Sequence, residues 1–324
     1  MIESGFTEKT KMIAPAGYIE RKDKLKKNLS NITFKKPTLV MGHEEATKII
    51  KTAFNKCQPK TEKHAKALFA ELEKNSPNDF APSIVWDSVS HLSSREYFVW
   101  GHDHDFGYGL KRTGFMSTRH IEIPSEAMAL GFLPVCLKNK KVLDIGIHTG
   151  GDLLVLAGLG ADCTALEEEN RAFNAANTLI NGLKVGAEIL NKSAFEDNQY
   201  WQRNFDYIYC SGVIYHVTDP VLLLRILFSY LKINGELLIE TKAMPGNKAL
   251  CSYSGGVEKG SNWYAPDELT IGRWFIDAGF QGRHITIYRR SNGRLLVHAV
   301  KKNFAKMIEP QGFSRPGSWL ENET

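Results

Sequence analysis

Short apolar runs alternate with amphipathic segments along the chain from residue 140 onward. The runs are rich in branched and aromatic residues, as expected of buried strands. They fall at residues 140–146, 161–170, 186–190, 204–212, 235–242, 282–288 and 294–300. Helical periodicity separates most of them, and Asp219-Pro220 is placed to begin one of these helices. The alternation predicts a doubly wound, Rossmann-like α/β sheet of seven strands. The last two strands have no helix between them, so we expect them to form an antiparallel pair at one edge.

The chain before this series has a different texture. Residues 1–40 are polar and rich in lysine, which predicts an extended arm. Residues 43–75 carry apolar positions at helical spacing. Residues 76–135 are rich in aromatic and turn residues, and we expect them to cover a site. We therefore expect two parts: residues 1–135, an arm with a helical extension and a covering layer, and residues 136–324, a ligand-binding domain.

Composition narrows the class of protein. The chain has 324 residues, 43% hydrophobic and 24% charged, which is typical of globular domains. No apolar run reaches the ~20 residues of a membrane span, so no membrane partner is expected. Five widely spaced cysteines without a CxxC pair predict neither a zinc site nor a disulfide framework, and they favour a cytoplasmic location.

The net charge of +5 is concentrated at the start of the chain. The first 64 residues hold 14 lysines and arginines against seven acids. Such a segment can attract nucleic acid, or it can be a solvated helical surface. Residues 1–75 can also supply the surface of a homodimer.

A glycine-rich turn follows the first predicted strand. Asp144, Gly146 and Gly150 precede a helix, and glycines there let the backbone approach a ligand closely. His148 occupies a position that is often glycine in such loops. Glu167 ends the second strand, where an acid can accept hydrogen bonds from ribose hydroxyls. A dinucleotide site fits less well, because the loop lacks the complete GxGxxG pattern.

Later segments carry a resemblance to a known family. They are VLDIG (142–146), FDYIYCSGVIYHVTDP (205–220), GELLIET (235–241), NWYAPDELTIGRWFIDAGF (262–280) and RLLVHAVKK (294–302). Together they resemble the class I S-adenosylmethionine (SAM)-dependent methyltransferases. More narrowly, they are similar to the tRNA wobble-uridine carboxymethyltransferases. The resemblance covers about half the chain.

The resemblance implies SAM as the cofactor and assigns residues to it. Asp144, Gly146 and Gly150 would hold the methionine part and the adenosyl group, and Glu167 the ribose. The remaining implied contacts are Ser193, Ala194 and Phe195 beside the adenine, and Cys210, Ser211 and Gly212 along the reactive side of the cofactor.

In the carboxymethylating relatives a Lys, a Tyr and an Arg bind the carboxylate of a carboxylated cofactor. Tyr215 and Arg294 match two of these, but the segment Trp100–Phe106 has no Lys. A carboxylate would lose part of its charge compensation there, so we expect ordinary SAM. Tyr215 and Arg294 are then predicted to bind a carboxylate on the acceptor, as in an amino-acid-like metabolite.

The sequence His102-Asp103-His104-Asp105 is the second unusual feature. It can serve a metal, a general base or acceptor recognition, or it can be an ordinary polar loop. Only alternate residues of an extended strand share a face, so His102 and His104 would face one way and Asp103 and Asp105 the other. Metal ligands must converge, and no metal site is expected. With these residues, the predicted catalytic groups are Tyr215, His216, His104 and Asp103, and the predicted acceptor contacts are Arg294, Tyr215, Trp100 and His102.

These features predict a methyltransferase that acts on a small, carboxylate-bearing metabolite. Modification of tRNA is the alternative, favoured by the family resemblance and by the basic arm. A third class is a non-catalytic module that binds adenosyl ligands and regulates a partner. It is suggested by His148, which stands where such loops often have glycine.

Overall fold

The structure is a computed structural model that describes residues 34–84, 97–196, 201–255 and 262–302. In chain order, the helices are α1 (His43–Lys56), α2 (Glu62–Asn75), α3 (Arg119–Ala129), α4 (Gly151–Gly158), α5 (Asn170–Gly182), α6 (Pro220–Tyr230) and α7 (Glu268–Asp277). The strands are β1 (His104–Asp105), β2 (Lys111–Arg112), β3 (Lys141–Ile145), β4 (Asp162–Leu166), β5 (Ala187–Leu190), β6 (Phe205–Ser211), β7 (Leu231–Thr241), β8 (Cys251–Tyr253), β9 (Tyr264–Pro266), β10 (Ile285–Arg289) and β11 (Leu295–Val300).

The central sheet has seven strands in the order β10-β11-β7-β6-β3-β4-β5. The strands β3 to β7 are parallel, whereas β11 runs antiparallel to both β7 and β10. The predicted doubly wound sheet and its antiparallel edge pair are confirmed. The chain leaves β3 for β4 on one side and later returns to β6 on the other. Ligands bind at such a switch point, beyond the carboxyl ends of the strands.

Local signals in the sequence explain where the helices begin. Asp219 caps α6, because its side chain accepts a hydrogen bond from the Leu222 amide at 2.8 Å and Pro220 occupies the first turn. Asp267 caps α7 in the same way, and it also accepts from the Lys248 and Leu250 amides. A single buried carboxylate therefore fixes both α7 and the loop that follows β7.

The helices at residues 43–75 share a core with the sheet domain. Buried residues of α1 and α2, among them Ile50 and Leu68, belong to one apolar cluster with α4 and α5. The predicted amphipathic helices are confirmed there. Two other predictions lie outside the described residues: the basic arm over residues 1–33, and the part of the covering layer at residues 85–96.

No helix within the described ranges is long and apolar enough to cross a membrane.

The crossing of α1 over α4 depends on one glycine. A Cβ at Gly158 would collide with the carbonyl oxygen of Ala53 in α1. Replacing a helical glycine with alanine ordinarily stabilises a helix by about 1 kcal/mol. Here we expect Gly158→Ala to lower the free energy of unfolding by about 1–3 kcal/mol, as overpacking does.

Denaturant unfolding measures this effect, with Gly186→Ala as the matched control. No atom of the described residues lies within 4 Å of a Cβ at Gly186, so its effect should stay within about 0.5 kcal/mol. A Gly158→Ala protein at least as stable as the parent would contradict the described packing of α1 on α4.

Candidate cofactor-binding and methyl-transfer site

The carboxyl ends of β3, β4 and β6 bring the predicted cofactor residues together. Asp144 in β3 is paired in register with Ala165 of β4 on one side and with Tyr209 of β6 on the other. Glu167 directly follows β4, and Ser211 ends β6. Residues far apart in the sequence therefore meet at the central crevice of the sheet.

The loop between β3 and α4 turns sharply at its glycines. Gly146 has φ 70° and Gly150 has φ 82°, a region that glycine adopts without strain. The Gly146 amide donates to the Leu166 carbonyl at 2.8 Å, which fixes the start of the loop against β4. The backbone at Gly146 remains exposed, so it can be approached by a ligand.

Glu167 is buried and tied to the same loop. Its Oε2 accepts from the His148 amide at 2.7 Å, and its Oε1 accepts from the Glu169 amide at 3.0 Å. Each carboxylate oxygen has a second lone pair, which can accept from a ligand hydroxyl. Burial raises the pKa of Glu167 to about 7.

Two further carboxylates lie beneath the loop. Asp144 is only 2% exposed, and its Oδ2 atom has no hydrogen-bond partner among the residues that the structure describes. Burial, followed by the nearby charges of Asp152 and Glu167, raises the pKa of Asp144. Asp152, at the start of α4, accepts from the Tyr209 hydroxyl at 3.2 Å, and burial raises its pKa to about 7.

Asp152 was not identified from the sequence, where the only signal is an acid directly after the glycines. Within the described ranges, none of Asp144, Asp152 and Glu167 forms an ion pair with a lysine or arginine. We call these three residues the acidic cradle. Buried carboxylates without counterions favour a cationic ligand.

The predicted adenine contacts lie on the β5 side of the cradle. Ser193, Ala194 and Phe195 follow β5, and Phe195 is 37% exposed. The neighbouring Asn191 side chain donates to the Glu167 carbonyl at 2.9 Å, which places this segment beside the acid. The segment therefore lies where a nucleoside bound at Glu167 would extend.

The predicted reactive side follows β6. Cys210 is buried, Ser211 and Gly212 are partly exposed, and a short 3-10 turn carries Tyr215. A Cβ at Gly212 would lie 3.7 Å from the Tyr215 hydroxyl oxygen, so this hydroxyl is held over Gly212. The exposed His216 ring lies 4.1 Å from the Tyr215 ring, measured between centroids.

Two cations flank the Tyr215 ring. The Arg294 guanidinium lies 5.0 Å from the ring centroid and the Lys242 ammonium 5.1 Å. Lys242 directly follows β7 and donates to the Asn262 side chain at 2.9 Å. It was not identified from the sequence, where its signal is a charge immediately after a buried strand.

Arg294 has an internal counterion. Its guanidinium donates to both carboxylate oxygens of Glu240, which is 2% exposed. Arg290 lies 3.5 Å from the same carboxylate and pairs with Glu126 of α3. The four charges balance, so the guanidinium predicted to bind an acceptor carboxylate already has a partner.

The His/Asp segment alternates as predicted. His102 and His104 are buried, whereas the Asp103 and Asp105 side chains are more exposed. Trp100 is fully buried under the guanidinium of Arg112. His102 packs on the first residue of α4, which is part of the cofactor loop region.

His104 and Asp103, two of the predicted catalytic groups, have structural partners. The Nδ1 atom of His104 lies 3.0 Å from the His102 carbonyl, and burial lowers the His104 pKa to about 3. Asp103 accepts from the Gly114 amide and the Ser117 hydroxyl. In the described part of the chain, no hydrogen bond, ion pair or ring contact joins either residue to Tyr215. Nor does this part of the chain hold three His, Cys, Asp or Glu side chains placed to bind a metal.

The sheet order, the glycine loop and the acid after the second strand of the parallel series define a class I SAM-dependent methyltransferase. A family model described as a methyltransferase domain matches residues 119–298, and the chain belongs to this family. The cofactor is SAM, which supplies a methyl group activated by a sulfonium. The residues fit it, because the unpartnered Asp144 oxygen and the acidic cradle suit a ligand with sulfonium and ammonium charges.

Two curated relatives are both named tRNA U34 carboxymethyltransferase. The one from Trichodesmium erythraeum is 29% identical over 147 residues, which is 44% of this chain and 45% of the relative. The one from Campylobacter hominis is 33% identical over 150 residues, 45% of this chain and 52% of the relative. The chain thus spans about half the length of the curated relatives it matches.

A solved structure has the same fold. It is the N-terminal domain of EvdMO1 in the presence of SAH (S-adenosylhomocysteine) and D-fucose, 15% identical, with a TM-score of 0.51. The alignment covers 73% of this chain and 97% of that domain.

The acidic cradle predicts that discrimination between SAM and SAH depends on pH. SAH lacks the sulfonium charge. As the pH rises from 6 to 7.5, Asp152 and Glu167, with pKa values of about 7, become ionised and attract the sulfonium more strongly. We expect the ratio of the SAH to the SAM dissociation constant to rise about threefold to tenfold.

Isothermal titration calorimetry at each pH measures both constants. Asp152→Asn should flatten the dependence, and Glu71→Gln, at an exposed position of α2, should leave it unchanged. A ratio that is constant or falls with pH would contradict a role for these carboxylates in binding the cation.

Proposed function

We propose that this protein transfers a methyl group from SAM to a small, carboxylate-bearing acceptor at the ends of β6 and β7. One observation carries the proposal: the Tyr215 hydroxyl is held over Gly212, with the Lys242 ammonium against the Tyr215 ring. A hydroxyl and a cation side by side are suited to orient a carboxylate. An acceptor bound through them would lie beside the reactive side of the cofactor.

Lys242 rather than Arg294 takes the acceptor carboxylate in this proposal. The Glu240 carboxylate already engages the Arg294 guanidinium, which lies against the Tyr215 ring. Arg294 therefore serves to orient Tyr215. The Lys242 ammonium has three donors on a flexible stem, and its hydrogen bond to the Asn262 side chain directs it.

The remaining residues of the site would align the acceptor with the methyl group and accept its proton. Methyl transfer needs the attacking atom in line with the breaking bond from carbon to sulfur, whose electron pair returns to the sulfur. His216, exposed beside Tyr215, is placed to accept a proton from an amine or alcohol acceptor. A thioether or free amine would need no such base.

Ordinary SAM is preferred to a carboxylated cofactor on the same grounds. The Glu240 carboxylate already compensates the charge of the Arg294 guanidinium, so this guanidinium is not suited to bind a second carboxylate. In the carboxymethylating relatives, the segment that corresponds to Trp100–Phe106 carries a Lys. Here this segment has no Lys, and its His102 is buried and neutral. With Lys242 engaged by the acceptor carboxylate, an added carboxylate on the cofactor would be costly to bury at this place.

Modification of tRNA is the second candidate function. It is supported by the names of the relatives and by the basic excess in the first 64 residues. Binding to tRNA through its phosphates would weaken steeply as the salt concentration rises.

A cytoplasmic location is supported by the five unpaired cysteines, and it suits either candidate function. Cell fractionation would check the location.

Incubation of the protein with methyl-labelled SAM, a dialysable metabolite fraction and total tRNA separates the candidates. We expect label in small molecules that are retained on an anion exchanger. Label in tRNA, with none in the small-molecule fraction, would contradict the proposal and favour the second candidate.

Once the labelled acceptor is isolated, Lys242→Met tests the anchor. Loss of a charge-assisted bond of about 1.5–3 kcal/mol should raise the acceptor KM at least tenfold, with the SAM KM unchanged. Lys248→Met is the matched control, since Lys248 is exposed in the same segment and should leave both constants unchanged. An unchanged acceptor KM in Lys242→Met would exclude Lys242 as the anchor.

A further inference from the structure

His148 stands in the cofactor loop with a backbone conformation that glycine ordinarily supplies. Its φ is 49°, and a residue with a Cβ pays about 1 kcal/mol or more for this region. The surrounding structure must therefore hold it there. Its amide does so in part, through the bond to Glu167 at 2.7 Å.

The His148 ring provides the second restraint. It stacks on Phe98 with ring centroids 6.1 Å apart and an interplanar angle of 11°. Phe115 meets it edge-on at 5.5 Å and 72°. Both phenylalanines come from residues 97–117, which we call the roof segment. The Nδ1 atom of His148 is buried and has no hydrogen-bond partner in the described ranges, so the ring acts here by packing.

The roof segment is itself held as a unit. Hydrogen bonds join the beginning of the segment to its end. The Phe115 amide donates to the Trp100 carbonyl at 2.9 Å, and the Met116 amide donates to the Gly101 carbonyl at 2.7 Å. The Phe98 amide is anchored to Asp79, whose carboxylate also pairs with Arg171 of α5. The phenylalanines thus form a rigid slot.

The roof segment also touches the loop at Thr149 and at the His148 ring. The His102 amide lies 3.3 Å from the Thr149 hydroxyl oxygen, to which it donates. A Cβ at Gly101 would lie 2.6 Å from the His148 Nδ1 atom, so a larger residue there would displace the ring. The cofactor loop and the roof segment are therefore in close contact.

We propose that His148 is a positioning residue that interlocks the cofactor loop with the roof segment through its ring. The interlock keeps the loop in the conformation in which the His148 amide orients the Glu167 carboxylate for the ribose. Cofactor affinity then depends on the slot formed by Phe98 and Phe115, although neither belongs to the loop. The inference concerns the cofactor site and does not depend on the nature of the acceptor.

Binding of SAH to a set of variants tests the interlock by calorimetry. His148→Gly removes the ring while relieving the backbone strain, and we expect it to raise the dissociation constant at least tenfold. His148→Phe keeps an aromatic ring without nitrogen atoms, and its constant should stay within threefold of the parent. Lys184→Gly is the matched control, because Lys184 has φ 56° remote from the site and should leave SAH binding unchanged.

A double-mutant cycle separates the interlock from general destabilisation. Phe115→Leu alone should weaken SAH binding, but it should add little to His148→Gly, since the two act through one contact. Thermal unfolding of each variant shows whether the protein remains folded at the temperature of the titration. Binding by His148→Gly equal to the parent, failure of His148→Phe to retain affinity, or fully additive effects would each overturn the proposal.

Discussion

The burial of three carboxylates that have no counterion among the described residues is the constraint on which the site depends. Asp144, Asp152 and Glu167 lie together beneath the glycine loop, and burial raises the pKa of each. A protein interior bears such groups at a cost to stability that rises as they ionise. A bound cation offsets that cost. The acidic cradle therefore makes the fold receptive to a ligand that carries a sulfonium.

The rest of the molecule holds the cradle in place. The switch between β4 and β6 on either side of β3 gathers its members at one edge. The roof segment closes over the loop, and α1 and α2 support α4 and α5 from outside through a shared core. At the end of β7, by contrast, the buried Glu240 has Arg294 and Arg290 as counterions. The ends of β3 and β4 are thus suited to a cationic cofactor, whereas the charges at the end of β7 are balanced internally.

Much of this could be predicted from the sequence, because it rests on local pattern. The strands, the glycine turn, the acid at Glu167 and the alternation of His102 with Asp103 all follow from neighbouring residues. The pairing of Glu240 with Arg294 could not be predicted, since it depends on the antiparallel register of β7 and β11 across 54 residues. The slot around His148 likewise requires knowing which aromatic residues the roof segment brings to the loop.

A crystal structure of the complex with SAH would show directly whether the acidic cradle binds the cofactor. We expect the amino group of the ligand at about 3 Å from the Asp144 carboxylate and the ribose hydroxyls at the same distance from Glu167. The adenine should lie beside residues 193–195. A ligand bound elsewhere, or bound here with Asp144 and Glu167 both uncontacted, would contradict this expectation.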